Sequence, residues 1–274
     1  MSPLKLYQPT TPGRRKASVI TLDNKQGPHK PLVKGKKSQA GRSSAGTITV
    51  RHRGGGVKRK LRQVDMVQNR EIPAKVERIE YDPNRTAHLA LILYVDGRRS
   101  YILAEEKMKA GQEIRVGKDA PVKTGNRLPL SKIPGGSSVY NIQLSKDGRG
   151  TFVRAAGTAA TMTGIESGFA LLKLPSGEVR RIPQDCLATI GQTANRRHAD
   201  VRIGKAGRNR LKGRRPHVRG KAMNPVDHPH GGGEGGSPIG LPGPKTPSGL
   251  YTLGRKTRHK SANKARARKV VRSR

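Results

Sequence analysis

His88-Leu89-Ala90-Leu91-Ile92-Leu93-Tyr94-Val95 is a continuous apolar run of strand length, and Asp96-Gly97 directly after it is a strong hairpin signal. Ser100-Tyr101-Ile102-Leu103 returns as the second limb of that hairpin. Upstream, Ala74-Lys75-Val76-Glu77-Arg78-Ile79-Glu80-Tyr81 alternates apolar and polar residues, as a half-buried strand does. Asp82-Pro83-Asn84-Arg85 is the turn that leads from it into the run. Gln112–Val116 adds a further short strand. Over residues 65–126 these pieces predict a small antiparallel unit of about five strands, an OB-like barrel.

Working outward, Pro129, Pro134 and Gly135-Gly136 mark a boundary. Beyond it come Ser138–Leu144, Thr151–Val153, Thr158–Ile165, Phe169–Leu174 and Val179–Ile182, with Asp147-Gly148 and Ser176-Gly177 as turns. Five short strands spaced by about 8–12 residues predict a second barrel, SH3-like, over residues 127–200. Cys186–Ile190 closes it, and the single Cys186 reads as a small hydrophobe in that strand. The expected fold class is therefore mainly β: an OB-like barrel followed by an SH3-like barrel, with long irregular basic extensions at both ends.

Those extensions, residues 1–64 and 201–274, hold 36 of the 57 Lys and Arg but only three of the 18 acids, Asp23, Asp227 and Glu234. A net charge of +39 on 274 residues calls for a polyanion, and nucleic acid is the usual one. Trp is absent, Phe numbers two and Tyr six, so most of the length cannot be buried around a core. The first extension shows no sustained period and reads as extended and ordered on RNA, or else disordered. In the second, Lys205–Lys212 predicts a short helix stopped by Gly213 and Pro216, residues 224–249 fit no regular element, and Ala262–Arg268 fits a partial helix. One Cys excludes an internal disulfide and a zinc-finger pattern. No apolar run approaches the roughly 20 residues of a membrane span, and the extensions lack the apolar face of a membrane-surface helix.

Three strings carry chemistry. Arg51-His52-Arg53-Gly54-Gly55-Gly56-Val57-Lys58-Arg59-Lys60 sets three glycines between basic clusters, so backbone N–H groups can approach phosphate while the flanks neutralise it. The spacing of a nucleotide-binding P-loop is missing. Gly204-Lys205-Ala206-Gly207-Arg208-Asn209-Arg210-Leu211-Lys212-Gly213-Arg214-Arg215-Pro216 is rich in Arg, which suits forked phosphate contacts. Met223-Asn224-Pro225-Val226-Asp227-His228-Pro229-His230-Gly231-Gly232-Gly233-Glu234-Gly235 gathers acids and imidazoles, which fits RNA contact or structure, a metal, or acid–base chemistry through Asp227 and His228. Three readings stand at this point: an RNA-binding structural protein, an acyl-transfer enzyme, and a DNA-compacting protein.

Together with Pro12-Gly13-Arg14-Arg15, Ile79–Arg85, Tyr101–Ala104, Ser176–Arg180 and Val218-Arg219-Gly220, these strings closely resemble the family of the universal second protein of the large ribosomal subunit, in its bacterial form. The resemblance spans nearly the full length, in order. It implies the two barrels, with extensions threading into large-subunit rRNA. It further implies roles in subunit assembly, subunit association, tRNA binding and the architecture near the peptidyl-transferase centre. The implied RNA contacts are Arg14, Arg15, Arg51, His52, Arg53, Gly54, Gly55, Gly56, Lys58, Arg59, Arg85, Lys205, Arg208, Arg210, Lys212, Arg214, Arg215, Arg219, Asn224, His228, His230, Arg255, Lys256 and Arg258. His228 with Asp227 is a disputed catalytic candidate in the family, and we carry it over as an RNA contact, not as an enzyme's base. The implied partners are large-subunit rRNA, small-subunit rRNA at the subunit interface, neighbouring ribosomal proteins and, indirectly, tRNA. No membrane, homo-oligomer or cofactor is expected, and a structural magnesium ion between the His-Pro-His loop and phosphate stays open. The expected location is the cytoplasm, with an organelle ribosome also open. The chain departs from the family in losing flat side chains: Leu211 and Ser248 stand where the family has Trp, Val57 for His, Leu61 for an aromatic, and Val270-Val271 for Phe. The expectation is that Arg210 or Arg214 replaces the lost stacking.

Overall fold

The computed structural model of the protein describes residues 4–22, 26–254 and 270–272. The candidates Arg255, Lys256 and Arg258, and the helix expected across Ala262–Arg268, lie outside the described residues. The chain forms two compact units, residues 1–37 with 58–208 and 266–274, and residues 38–57 with 209–265.

In the first unit, β1 (Leu4–Leu6) pairs with β2 (Ser18–Ile20), and β3 (Val33–Gly35) with β4 (Lys60–Arg62), both antiparallel. These ribbons fall where the sequence shows no period, because strands of three residues are too short to display one. The OB-like part is an antiparallel sheet of β5 (Ala74–Glu80), β6 (Leu89–Tyr94), β7 (Arg99–Leu103) and β8 (Glu113–Ile114), in the order β7-β6-β5-β8. It has four strands where about five were expected. Along the outer side of β7 runs a parallel bridge from Val64 to Tyr101, with the Asp65 N–H donating to Tyr101 O at 2.8 Å. The chain leaves the sheet there because the Asp65 carboxylate accepts the N–H groups of Val67 and Gln68, each at 2.9 Å, and turns it away.

β6 explains its own unbroken apolar sequence. Successive strand residues face opposite sides. Ala90, Ile92 and Tyr94 join Val76, Ile102 and Ile114 in one core. Leu89 and Leu91 join Tyr101, Leu103 and Tyr140 in another. Both faces are covered, so alternation is lost. The hairpin after it closes as expected, with Gly97 at φ 80° and its N–H donating to Tyr94 O at 3.0 Å. A bulge between Val76 and Arg78 coils β5 and leaves Glu77 free to pair with Arg99 at 2.9 Å. The Arg99 guanidinium holds the Glu77 carboxyl below its ordinary range.

The SH3-like part is built from β9 (Arg127–Pro129), β10 (Ser138–Tyr140), β13 (Ala160–Glu166), β14 (Phe169–Lys173), β15 (Val179–Pro183), β16 (Leu187–Ile190) and β17 (Val270–Arg272). Its sheet order is β17-β15-β14-β13-β10-β16-β9, and β11 (Ile142–Gln143) pairs separately with β12 (Gly150–Phe152). Its core holds Leu128, Val139, Ile142, Met162, Leu172, Ile182 and Ile190. Cys186 is buried in that core, one residue before β16, and burial pushes its thiol pKa up, so it packs as a small hydrophobe. The two barrels share Tyr140, whose ring lies among Leu89, Leu91 and Leu103 while its hydroxyl donates to Leu103 O at 3.3 Å.

Tyr101 is the polar pin of this region. Its buried hydroxyl donates to Glu80 Oε2 at 2.7 Å and accepts the His29 N–H at 2.8 Å, and burial raises its pKa to about 12. Tyr101→Phe keeps the ring but leaves Glu80 and the His29 N–H without that partner. We expect a loss of roughly 1–3 kcal/mol in urea unfolding, whereas an unchanged midpoint would show that the hydroxyl contributes nothing.

Candidate nucleic-acid interface

In the first unit the two ends of the basic text meet. The Ser18 N–H donates to Arg202 O at 2.9 Å, and the Arg202 N–H donates to Ser18 Oγ at 2.8 Å. Gly13 faces the Lys205 side chain, and a Cβ added there would make ordinary contact with it at 3.5 Å. Tyr7 then gathers two guanidinium groups: Arg14 lies 5.2 Å and Arg208 4.9 Å from its ring centroid. Arg14, Lys205 and Arg208, far apart in sequence, thus form one cationic cluster, and Arg15 beside them is exposed. Sequence reasoning passed over Tyr7; a lone aromatic within a basic arm was the available signal.

Two candidates here are engaged in holding the fold. The Arg85 Nε donates to the buried Asp82 Oδ2 at 2.7 Å, and the Arg59 Nη1 donates to Pro83 O at 3.1 Å. Asp82 also accepts the Asn84 N–H at 2.9 Å, which makes the expected turn. Lys58 is exposed.

In the second unit the glycine-rich and arginine-rich strings, about 160 residues apart in sequence, lie side by side. Arg53 and Arg214 form an antiparallel bridge. The Gly54 N–H donates to Gly213 O at 2.9 Å, the Val57 N–H to Leu211 O at 2.9 Å, and the Arg215 N–H to His52 O at 3.1 Å. His52 and His217 meet edge to face with centroids 4.5 Å apart. The glycines are needed for contact: a Cβ on Gly56 would stand 2.9 Å from the Gly213 backbone. Arg51, Arg53, Arg210, Lys212, Arg214 and Arg215 are all exposed on this ribbon. Leu211 is 57% exposed, so no apolar core holds it. The helix expected at Lys205–Lys212 is present as α1 (Ala206–Leu211), and Gly213 at φ 82° ends it.

The Met223–Gly235 string forms a tight loop. Asn224 O accepts the N–H groups of Asp227 at 3.0 Å and His228 at 3.2 Å, and the Gly232 N–H returns to Met223 O at 3.1 Å. His228 is buried against Gly220, where a Cβ would stand 2.5 Å from the imidazole. Its Nδ1 accepts the His230 N–H at 3.0 Å, and the two rings lie 4.6 Å apart. His230 Nε2 in turn accepts the Lys245 N–H at 2.7 Å. Both imidazoles therefore act as neutral acceptors, with the proton on the opposite nitrogen. Burial, then the nearby His228, Lys221 and Lys245, hold the His230 pKa below its ordinary value. Asp227 is exposed, and among the described residues no hydrogen bond joins its carboxylate to His228. Nor, among them, do three or more His, Cys, Asp or Glu side chains gather as metal ligands. Arg219 and Asn224 are exposed at the loop's edge.

Two outcomes follow from this geometry. Gly56→Ala must push the ribbon apart, so hydrogen exchange at the Gly54 and Val57 amides should accelerate by about tenfold or more, while Tyr94 in the OB-like sheet stays protected. Equal exchange in the variant would contradict the packing. The second concerns pH. A histidine whose folded pKa is lowered stabilises fully above its ordinary value of 6.5 and loses that contribution as the pH falls below it. The Lys245 amide should therefore lose protection on acidification, and His230→Ala should abolish this pH dependence.

Comparison with known proteins agrees with this arrangement. The model of the ribosomal protein L2 RNA-binding N-terminal domain matches residues 29–116, and that of the L2 C-terminal domain matches residues 123–249. The chain is 51% identical over 276 residues to the large ribosomal subunit protein uL2 of Stenotrophomonas maltophilia (strain R551-3), covering 99% of each chain. Two barrels in sequence, basic extensions around them and a family match along nearly the whole length lead to one assignment: the chain belongs to the ribosomal protein L2 family.

Proposed function

We propose that this protein is a structural constituent of the large ribosomal subunit and a primary rRNA-binding protein. On this reading it supports subunit assembly, association of the two subunits, tRNA binding and the architecture near the peptidyl-transferase centre. The observation that carries the proposal is the like-charged ribbon. Arg53 and Arg214 oppose each other directly, an arrangement that repels unless a polyanion lies over both. The whole second unit holds two acids, Asp227 and Glu234, against fifteen Lys and Arg. Its exposed guanidinium groups and glycine backbone suit phosphate. The partners are then large-subunit rRNA, small-subunit rRNA at the subunit interface, neighbouring ribosomal proteins and, indirectly, tRNA, in the cytoplasm.

The His-Pro-His loop serves this function as architecture, not as an enzyme. The His228 Nδ1 accepts a backbone N–H, and Asp227 is exposed with no hydrogen bond to that ring among the described residues, which supports a structural role over that of a general base. A buried imidazole braced this way shapes a loop that RNA can grip.

Binding of the full chain to large-subunit rRNA, measured across a salt series, tests the proposal. Each neutralised phosphate contributes roughly 0.7–0.9 to the slope of log affinity against log salt. A steep negative slope is expected, and Arg53→Ala with Arg214→Ala should flatten it by about 1.5. Salt-insensitive binding, or equal competition by duplex DNA, would overturn it.

A further inference from the structure

We infer that Tyr251 is a stacking platform for an unpaired nucleobase, presented on a hairpin that no sequence string announces. The inference rests on the RNA-binding reading above and adds a contact of a different physical kind. Residues 244–252 fold back on themselves. The Thr246 N–H donates to Leu250 O at 2.7 Å, the Gly249 N–H to Thr246 O at 2.9 Å, and the Thr252 N–H to Pro244 O at 2.9 Å. The Thr252 hydroxyl also donates to Pro244 O at 3.0 Å, and Lys245 bridges Tyr251 across the hairpin. The base of the hairpin is tied to the His-Pro-His loop through the Lys245 N–H and His230 Nε2.

This frame holds one aromatic ring outward. Tyr251 is 52% exposed, in a chain where Tyr94, Tyr101 and Tyr140 are buried. Gly243 backs the ring, and a Cβ there would reach within 3.5 Å of Tyr251 Cδ1. The Lys245 ammonium lies 5.2 Å from the ring centroid. A flat, half-open ring on a hydrogen-bonded turn, with the Lys245 ammonium over it, meets the needs of a nucleobase: aromatic surface to stack on and a charge for the adjoining phosphate. Leu250 and Leu253 are exposed nearby, which would also suit an apolar protein surface. The cationic character of this unit, with fifteen Lys and Arg against two acids, favours a nucleic acid.

Stacking and phosphate neutralisation respond differently to salt, which separates the two claims. The full-length chain is compared with Tyr251→Ala, Tyr251→Leu and Tyr251→Phe in equilibrium binding to large-subunit rRNA over a salt series. Tyr251→Leu keeps apolar bulk without a flat ring, so it guards against a misfolded hairpin in the Ala variant. Both Ala and Leu should weaken binding by about tenfold at every salt concentration with an unchanged slope, and Phe should bind as the wild type does. Wild-type affinity in the Leu variant overturns the stacking role, as does a Phe variant weakened as much as Leu. Leu variants that bind RNA normally but lose a ribosomal-protein contact would assign the ring to a protein partner instead. A wild-type chain without a steep salt slope would sink the RNA-binding reading itself, independently of Tyr251.

Discussion

Arg53 opposite Arg214 sets the terms for the second unit. Two basic segments from distant parts of the chain are zipped by backbone hydrogen bonds at Gly54, Val57 and Arg215, with glycines touching where side chains would stand. Each backbone hydrogen bond adds only a modest net stabilisation, roughly 0.5–1.5 kcal/mol, because water competes for the same groups. Like charges across the ribbon act against it. With Leu211, Val218, Val226 and Leu250 all half exposed or more, apolar burial does little to offset that repulsion. On the proposed reading, phosphate supplies the missing counter-charge, and the ribbon's shape and its ligand are two aspects of one interaction.

The barrels solve the opposite problem. β6 feeds two cores from its two faces, and Tyr140 of the SH3-like part completes one of them. Three ion pairs lie in this region: Arg78 with Glu80, Arg85 with Asp82, Arg99 with Glu77. These acids serve internal structure, whereas the extensions hold only three acids. The neutral histidines of the loop extend the same economy. His228 and His230 brace backbone N–H groups without adding charge, and through Lys245 they fix where the Pro244–Thr252 hairpin stands.

Much of this was legible in the sequence, and the limits have physical causes. β6 and the strands of 160–190 announced themselves because their pattern is decided by burial within a few residues. β9 was missed because Pro129 and Pro134 read as boundary signals, while its pairing comes from β16, some sixty residues on. β17 was missed because three residues in a basic tail carry no period; only the open edge of β15 makes them a strand. The basic strings were found as strings, yet nothing local says that Gly54 lies on Gly213 or that Tyr7 joins Arg14 to Arg208. The Asp227–His228 neighbourhood in sequence suggested a dyad, whereas in the fold His228 Nδ1 accepts the His230 N–H and Asp227 is exposed. Tyr251 gave no warning, since an isolated aromatic acquires meaning from the hairpin that exposes it.

Crosslinking of the protein to RNA in assembled large subunits, with crosslinked residues mapped by mass spectrometry, tests the central claim most directly. Crosslinks should appear on both sides of the ribbon, within residues 51–58 and 210–219, and in the His-Pro-His loop. Crosslinks confined to the barrel strands, with both sides of the ribbon unmodified, would contradict the account.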